Sequence, residues 1–293
     1  MKKNKYLKIG FGLILLFLSS LSCSLIRGKV QSTQASPVSV SSLTPVNSTN
    51  INPNLPLATP TAGKMTNVYF GGISFIYDNV LVKGVNATII PVKESATEER
   101  LFSVTPKMDQ FEFQGYLLNK SYQIGQISVF STQEYEALVG DRISQEINSL
   151  KKLLSLHPTD FFGTLPFLPM VMAAQAFHSQ FKYIKFQNGE GVRFVTQFTS
   201  DVSPITNDRI FYTFQGITSD GAYYISAGFP VNNGILAANY DDFIKTQDPN
   251  KFFENYHSHI TDTQEKLNQQ PDDSFNPNLG LLDTMISSLK IDK

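Results

Sequence analysis

The chain has 293 residues and is close to neutral, with 24 Lys and Arg against 25 Asp and Glu, one cysteine and no tryptophan. It offers no basic stripe, so nucleic-acid binding is excluded as its business. A single thiol forms no internal disulfide, so a redox staple is excluded too.

Lys2, Lys3, Lys5 and Lys8 make a positive opening, Ile9 to Leu18 an apolar run of ten residues, and Ser19, Ser20 and Ser22 a small-residue exit. That is the layout of a secretory signal. The run is short of the about 20 residues that cross a bilayer; an uncleaved N-terminal anchor, which would have to count the serines as well, is the alternative. In "LSSLSCSLIRG" the sole cysteine, Cys23, directly follows Ser22. The stretch resembles a bacterial lipoprotein signal, in which a cysteine after a small residue receives a diacylglyceryl thioether and becomes the new N-terminus. Where that family prefers an aliphatic residue three positions before the cysteine, this chain has Ser20. The resemblance implies a signal peptide over 1–22, lipidation at Cys23 with palmitate-type chains, and a place on the cell membrane or outer membrane, facing outside the cytoplasm. Ser24 after the cysteine implies the outer membrane where a host has two.

Residues 24–62 hold 21 Ser, Thr, Pro or Asn among 39 and no aromatic residue. Such a composition buries too little apolar surface to offset the entropy of ordering, so 23–64 reads as the lipidated cysteine and a disordered tether. Stretched out, the segment reaches on the order of 130 Å; as a coil, roughly 35 Å. Without residues 1–22, which hold four lysines and no acid, 20 basic residues face 25 acidic ones, a formal charge of −5. Anionic lipid would repel that charge, so membrane attachment rests on acyl chains.

Residues 65–293 suffice for a single globular domain. "NVYFGGISFIYD", "NVLVKGVNATIIPV", "QFEFQGYLL" and "GQISVF" predict short strands rich in β-branched and aromatic residues. "STQE" at Ser131 predicts a capped helix that Gly140 breaks or bends. Beyond it Ile143, Ile147, Leu150 and Leu154 recur at helical spacing until His157-Pro158. "DFFGTLPFLPMVMAAQAF" follows, where Pro166 and Pro169 argue against a regular helix. An apolar loop of this kind either folds over the core or offers a lip to a partner. "SQFKYIKFQNGEGVRFVTQFT" predicts a hairpin joined at Asn188-Gly189, and "RIFYTFQGITSDGAYYISAGFPV" a second with Asp220-Gly221 at its turn. One face of this meander is expected to be buried, and the other to carry Lys182, Arg193, Gln197 and Gln215. Helices are predicted from about Ala237, over "NKFFENYHSHITDTQEKLNQ", and from Asn276-Pro277 with Leu281, Leu282, Met285, Ile286 and Leu289 as the buried stripe. The fold class is α+β, an antiparallel meander with helices packed on it.

The opening strand "ISFIYD", the meander with its Asp-Gly turn and the ending "MISSLKI" resemble the PsbP-like fold of photosystem accessory proteins and bacterial lipoproteins, over about residues 66–291. That family often has proline and tryptophan after its first strand, where this chain has Asp78 and no tryptophan. The resemblance implies a non-catalytic binding or assembly role. "FQNGEGVRFVTQF" through "FYTFQGITSDGAYYISA" also resembles a domain of bacterial proteins to which no activity is attached.

Catalytic patterns are sparse. His257 and His259 stand two apart in a predicted helix, where they point away from each other, and no zinc spacing accompanies them. No nucleophile elbow, phosphate loop or dinucleotide fingerprint occurs, and no cofactor is implied. Ser149 with Lys152 and Ser287 with Lys290 fit S-x-x-K, without its companion motifs. The expectation is therefore a lipid-anchored binding module for an envelope protein or a small apolar ligand. Its candidate contacts are Phe161, Phe162, Phe167, Leu168 and Arg193. The alternative is a cell-envelope hydrolase using His178, with Asp201 or Asp220 to orient it.

Overall fold

The computed structural model describes residues 63–94, 102, 104–118, 125–159, 161 and 163–293. Cys23, the signal segment, the tether through residue 62 and Phe162 lie outside the described residues. The described part belongs to one compact unit, Ala58–Lys293, and both of its hydrophobic clusters are built from its own residues.

A seven-stranded sheet organises the unit, every neighbouring pair antiparallel. Its strands are β3 (Gly84–Ile90), β4 (Met108–Gln114), β5 (Gln126–Ser131), β6 (Ala174–Phe186), β7 (Gly189–Thr199), β8 (Phe211–Thr218) and β9 (Tyr223–Pro230), in the order β3-β4-β5-β9-β8-β7-β6. The two predicted hairpins thus lie side by side, and the early strands join them through β5 against β9. The α+β class is as the sequence predicts. One turn shifts by a residue: Phe186 pairs with Gly189, so Gln187 and Asn188 form the two-residue loop, not Asn188 and Gly189.

Both faces of the sheet are covered over its central strands, whereas the edge strand β3 has no buried residue. A ribbon of β1 (Met65–Phe70), β2 (Ile73–Asp78) and β10 (Lys290–Ile291) lies over one face. Alternation turns Ile73, Phe75 and Tyr77 inward. Phe75 meets Phe111 edge-on at 5.2 Å and stacks on Phe113 at 5.9 Å, and each such buried ring contributes about 1.5–3 kcal/mol. Helix α6 (Leu279–Ser287) completes this layer with Leu282, Met285 and Ile286 buried. Its cap is Asn278, two residues later than predicted, with the side chain accepting from Gly280 N. Around it run α3 (Tyr240–Thr246), α4 (Pro249–Glu254) and α5 (Tyr256–Asn268); the sequence predicted a single helix over the last two.

The opposite face carries α1 (Thr132–Val139) and α2 (Asp141–Leu156). Ser131 caps α1 by accepting from Glu134 N. Gly140 separates the helices at φ 93°, a conformation that costs glycine little. Ile143, Ile147, Leu150 and Leu154 are buried as their spacing predicts. The described residues of 157–173 then run as an irregular strap along this face. Among the described residues no helix is long and apolar enough to cross a membrane.

Covering both faces corrects the predicted polar face. Arg193 is 1 % exposed, and Gln197 and Gln215 are fully buried. Of the four residues predicted there, Lys182 alone is exposed, its side chain about half so.

Candidate functional site

The strap is held to the sheet by polar contacts spaced along it. Tyr183 Oη donates to the Pro158 carbonyl at 3.1 Å, and His178 Nε2 donates to the Phe161 carbonyl at 3.2 Å. Leu165 N donates to Gln175 Oε1 at 2.9 Å. Leu168 N donates at 3.0 Å to Gln215 Oε1, which also receives the Tyr224 hydroxyl at 2.8 Å. Gln215 Nε2 in turn donates to Thr213 Oγ1 and Ser226 Oγ. The buried glutamine is thus satisfied at both ends, as a group without water must be.

Beyond Leu168 the strap becomes exposed, and strap and sheet residues together line an open groove of about 650 Å³. Such a volume is in the range of small-molecule sites, about 300–1,000 Å³. The cause of the opening is local. On this face β9 presents Ser226 and Gly228, with Gln126 of β5 opposite Gly228, where a packed sheet would carry branched side chains. A Cβ built on Gly228 would meet only Phe211 Cδ2, at 3.9 Å. The walls are aromatic: Phe167 lies 4.6 Å from Phe198 and 6.2 Å from Phe211, ring centre to ring centre. Pro169, Met170 and Val171 extend the strap side. Val171, Met172 and Val202 are 40 %, 63 % and 48 % exposed, so apolar surface continues onto the rim.

The mouth carries one charge of each sign, Asp201 and Arg209. Asp201 Oδ1 accepts from the Ser203 and Thr199 hydroxyls, and these bonds hold its carboxyl below the usual carboxylate range. Arg209 Nη1 donates to Ser203 Oγ at 3.1 Å and stands 3.8 Å from Asp201 Oδ1. The groove therefore has an apolar wall, a floor of small and polar residues, and a dipolar mouth. No family model, curated protein or solved structure matches this chain.

The structure sorts the residues singled out in the sequence. Phe167 forms a wall of the groove, and Phe161 lines a separate cleft of about 310 Å³ with Pro166 and the α2 residues Leu153 and Leu156. Phe162 is outside the described residues. Leu168 is fully buried in the core and unavailable as a contact. Arg193 is turned to the other face, where Asp283 and Asp272 hold it. Both are corrected from surface contacts to internal ones, since the strap and α6 cover the faces that the sequence left bare.

His178 is half-buried, and burial lowers its pKa against the pull of the Phe161 and Gly163 carbonyls. Asp201 and Asp220 bond elsewhere, Asp220 to Thr218 Oγ1 and Ala222 N. Among the described residues His178 has no carboxylate hydrogen-bond partner, so the orientation that a triad requires is not formed. Ser149 and Lys152 flank the smaller cleft, and no hydrogen bond joins them among the described residues. His257 is exposed on α5, whereas His259 packs edge-on against Phe243 and Phe252.

Sequence reasoning passed over Phe198, Phe211, Ser226, Gly228 and Arg209, and named Asp201 only as an orienter of His178. The available signal was "SAG" inside a strand otherwise built from large residues, since glycine in a strand interior marks a place left open for something else.

Proposed function

We propose that this chain is a lipoprotein, held on the outer side of a membrane by acylated Cys23 and a long tether, whose domain works by binding. Its ligand is a small apolar or amphiphilic molecule taken up between the strap and the sheet. One observation carries the reading: a groove walled by three aromatic rings stays open between the strap and the central strands of the sheet. Apolar surface left open in this way marks an interaction site. The lipoprotein signal resemblance and the mature charge of −5 support the membrane side, and the PsbP-like resemblance implies the same non-catalytic role.

Filling the floor tests it. Gly228→Val adds methyl groups where a Cβ meets ordinary contact only, and valine suits a strand. The domain of residues 58–293 should enhance the fluorescence of N-phenyl-1-naphthylamine saturably. Gly228→Val should abolish that signal at an unchanged urea midpoint. Equal signal from both proteins, or none from the wild type, sinks the reading.

A further inference from the structure

The mouth of the groove says what kind of head its ligand carries. Asp201 and Arg209 are the charged side chains that line it, and they are only loosely paired: their approach of 3.8 Å uses Oδ1 and Nη1 alone. That same Oδ1 takes the Ser203 and Thr199 hydroxyls, and that same Nη1 serves Ser203 Oγ. Asp201 Oδ2 and Arg209 Nε and Nη2 have no partner among the described residues. Asp201 stays ionised at neutral pH because hydroxyls stabilise its charged form. Asp201 is 68 % and Arg209 32 % exposed at the side chain, so both charges remain in reach of a ligand. A purely anionic head would satisfy Arg209 and be repelled by Asp201; a purely cationic head would meet the reverse. A head bearing both signs meets both unused edges at once.

We infer that the groove binds a single-chain zwitterionic amphiphile, its acyl chain against Phe167, Phe198 and Phe211 and its dipolar head between Asp201 and Arg209. This rests on the binding reading above and adds the chemistry of the ligand. Of the two sources of such a head, a lysophospholipid and a free zwitterionic solute, the aromatic walls favour the lipid, because a solute without a chain would leave them wet.

Displacement of the naphthylamine probe below micelle concentrations reads the preference. The competitors are dodecylphosphocholine, dodecanoate, dodecyltrimethylammonium and, as the chainless head, phosphocholine. Exposed charge pairs contribute little each, so dodecylphosphocholine should bind about two- to fivefold more tightly than either singly charged chain at low salt. The gap should close in high salt. Phosphocholine alone should not displace the probe. Asp201→Asn should bring dodecanoate level with dodecylphosphocholine, and Arg209→Gln should weaken both while leaving dodecyltrimethylammonium unharmed. Unchanged probe binding in the two variants reports an intact groove. Equal affinities for all three chains, or a head preference that survives both substitutions, overturns this inference but leaves the binding reading standing. Loss of probe binding by the wild type would overturn both.

Discussion

Arg193 grips Asp283 at two points, Nη2 to Oδ2 at 3.0 Å and Nε to Oδ1 at 3.2 Å, and so ties β7 to α6 across the core. The rest of the neighbourhood completes the grip. Arg193 Nη2 also reaches Asp272 Oδ1 at 2.8 Å, and Nη1 reaches the Gln180 carbonyl at 2.8 Å. Tyr212 Oη donates to Asp283 Oδ1 at 3.1 Å, and Lys182 Nζ stands 2.9 Å from Oδ2. Burial works to lower the Arg193 pKa, but hydrogen bonding and attraction to Asp283 outweigh it, and the net direction is upward.

A buried charge that loses its partner is expensive, whereas removal of a whole pair is not. Arg193→Met should therefore cost about 3 kcal/mol of unfolding free energy, the low end for a broken buried pair, because it leaves Asp283 with only Lys182 and Tyr212. The double variant Arg193→Met/Asp283→Leu should regain more than half of that loss. Urea denaturation of the single and double variants closes the cycle, and strict additivity would refute the coupling.

Gln215 joins the strap to the sheet through four hydrogen bonds. Gln215→Leu keeps the volume and orphans Leu168 N and the Tyr224 hydroxyl, each at a cost of about 1–3 kcal/mol. Amide exchange should speed up at Leu168 beyond the global change in stability, while Leu165 N keeps its bond to Gln175. Uniform exchange across the strap would contradict this.

Phe167 and Leu168 separate wall from core although they are neighbours in sequence. Leu168 is fully buried, so Leu168→Ala should cost about 2–5 kcal/mol. Phe167 is half-buried over the groove, and Phe167→Ser should cost less than Leu168→Ala yet remove naphthylamine binding. Thermal unfolding and fluorescence titration on the two variants decide it, and an inverted order would exchange their roles.

How the sequence told these two apart, or failed to, follows from what each signal measures. Helical spacing of Ile143, Ile147, Leu150 and Leu154 reports one element meeting one core, and it gave the correct face of α2. Alternation along β7 and β8 reports two faces but not what covers each. Arg193 and Gln215 therefore read as solvent residues until α6 and the strap, distant in sequence, were laid over them. The groove was harder still, since it is made by the absence of side chains at Ser226 and Gly228. The strap's prolines showed that it was no helix, but not that it would become exposed after Leu168.

Acid should weaken the fold through its half-buried histidines. Burial lowers the pKa of both His178 and His259 from 6.5. As the pH falls the unfolded chain takes up protons first, so stability is full above about 6.5 and is lost as the pH drops through the folded values. His259 Nε2 is buried beside Phe243 and Phe252 without a hydrogen-bond partner among the described residues. His259→Phe should then be neutral or stabilising at pH 7.5 and should flatten the decline on acidification. Urea midpoints between pH 7.5 and 5 measure both, and an unaltered slope would discharge His259 from the effect.

On the proposed lipoprotein reading, attachment at the other end of the chain depends on one sulfur atom, that of Cys23. A single acyl chain holds a protein only marginally, and stable anchoring takes at least two signals; the proposed diacylglyceryl group would supply two chains at one residue. The mature charge of −5 adds no electrostatic hold on anionic lipid. Membrane-bound protein should therefore resist a high-salt wash and, by intact mass, begin at Cys23 with added acyl groups. Cys23→Ser should abolish the added mass. If that variant is released to the soluble fraction, acylation is the anchor; if it stays with the membrane and keeps Met1, the uncleaved N-terminal segment is.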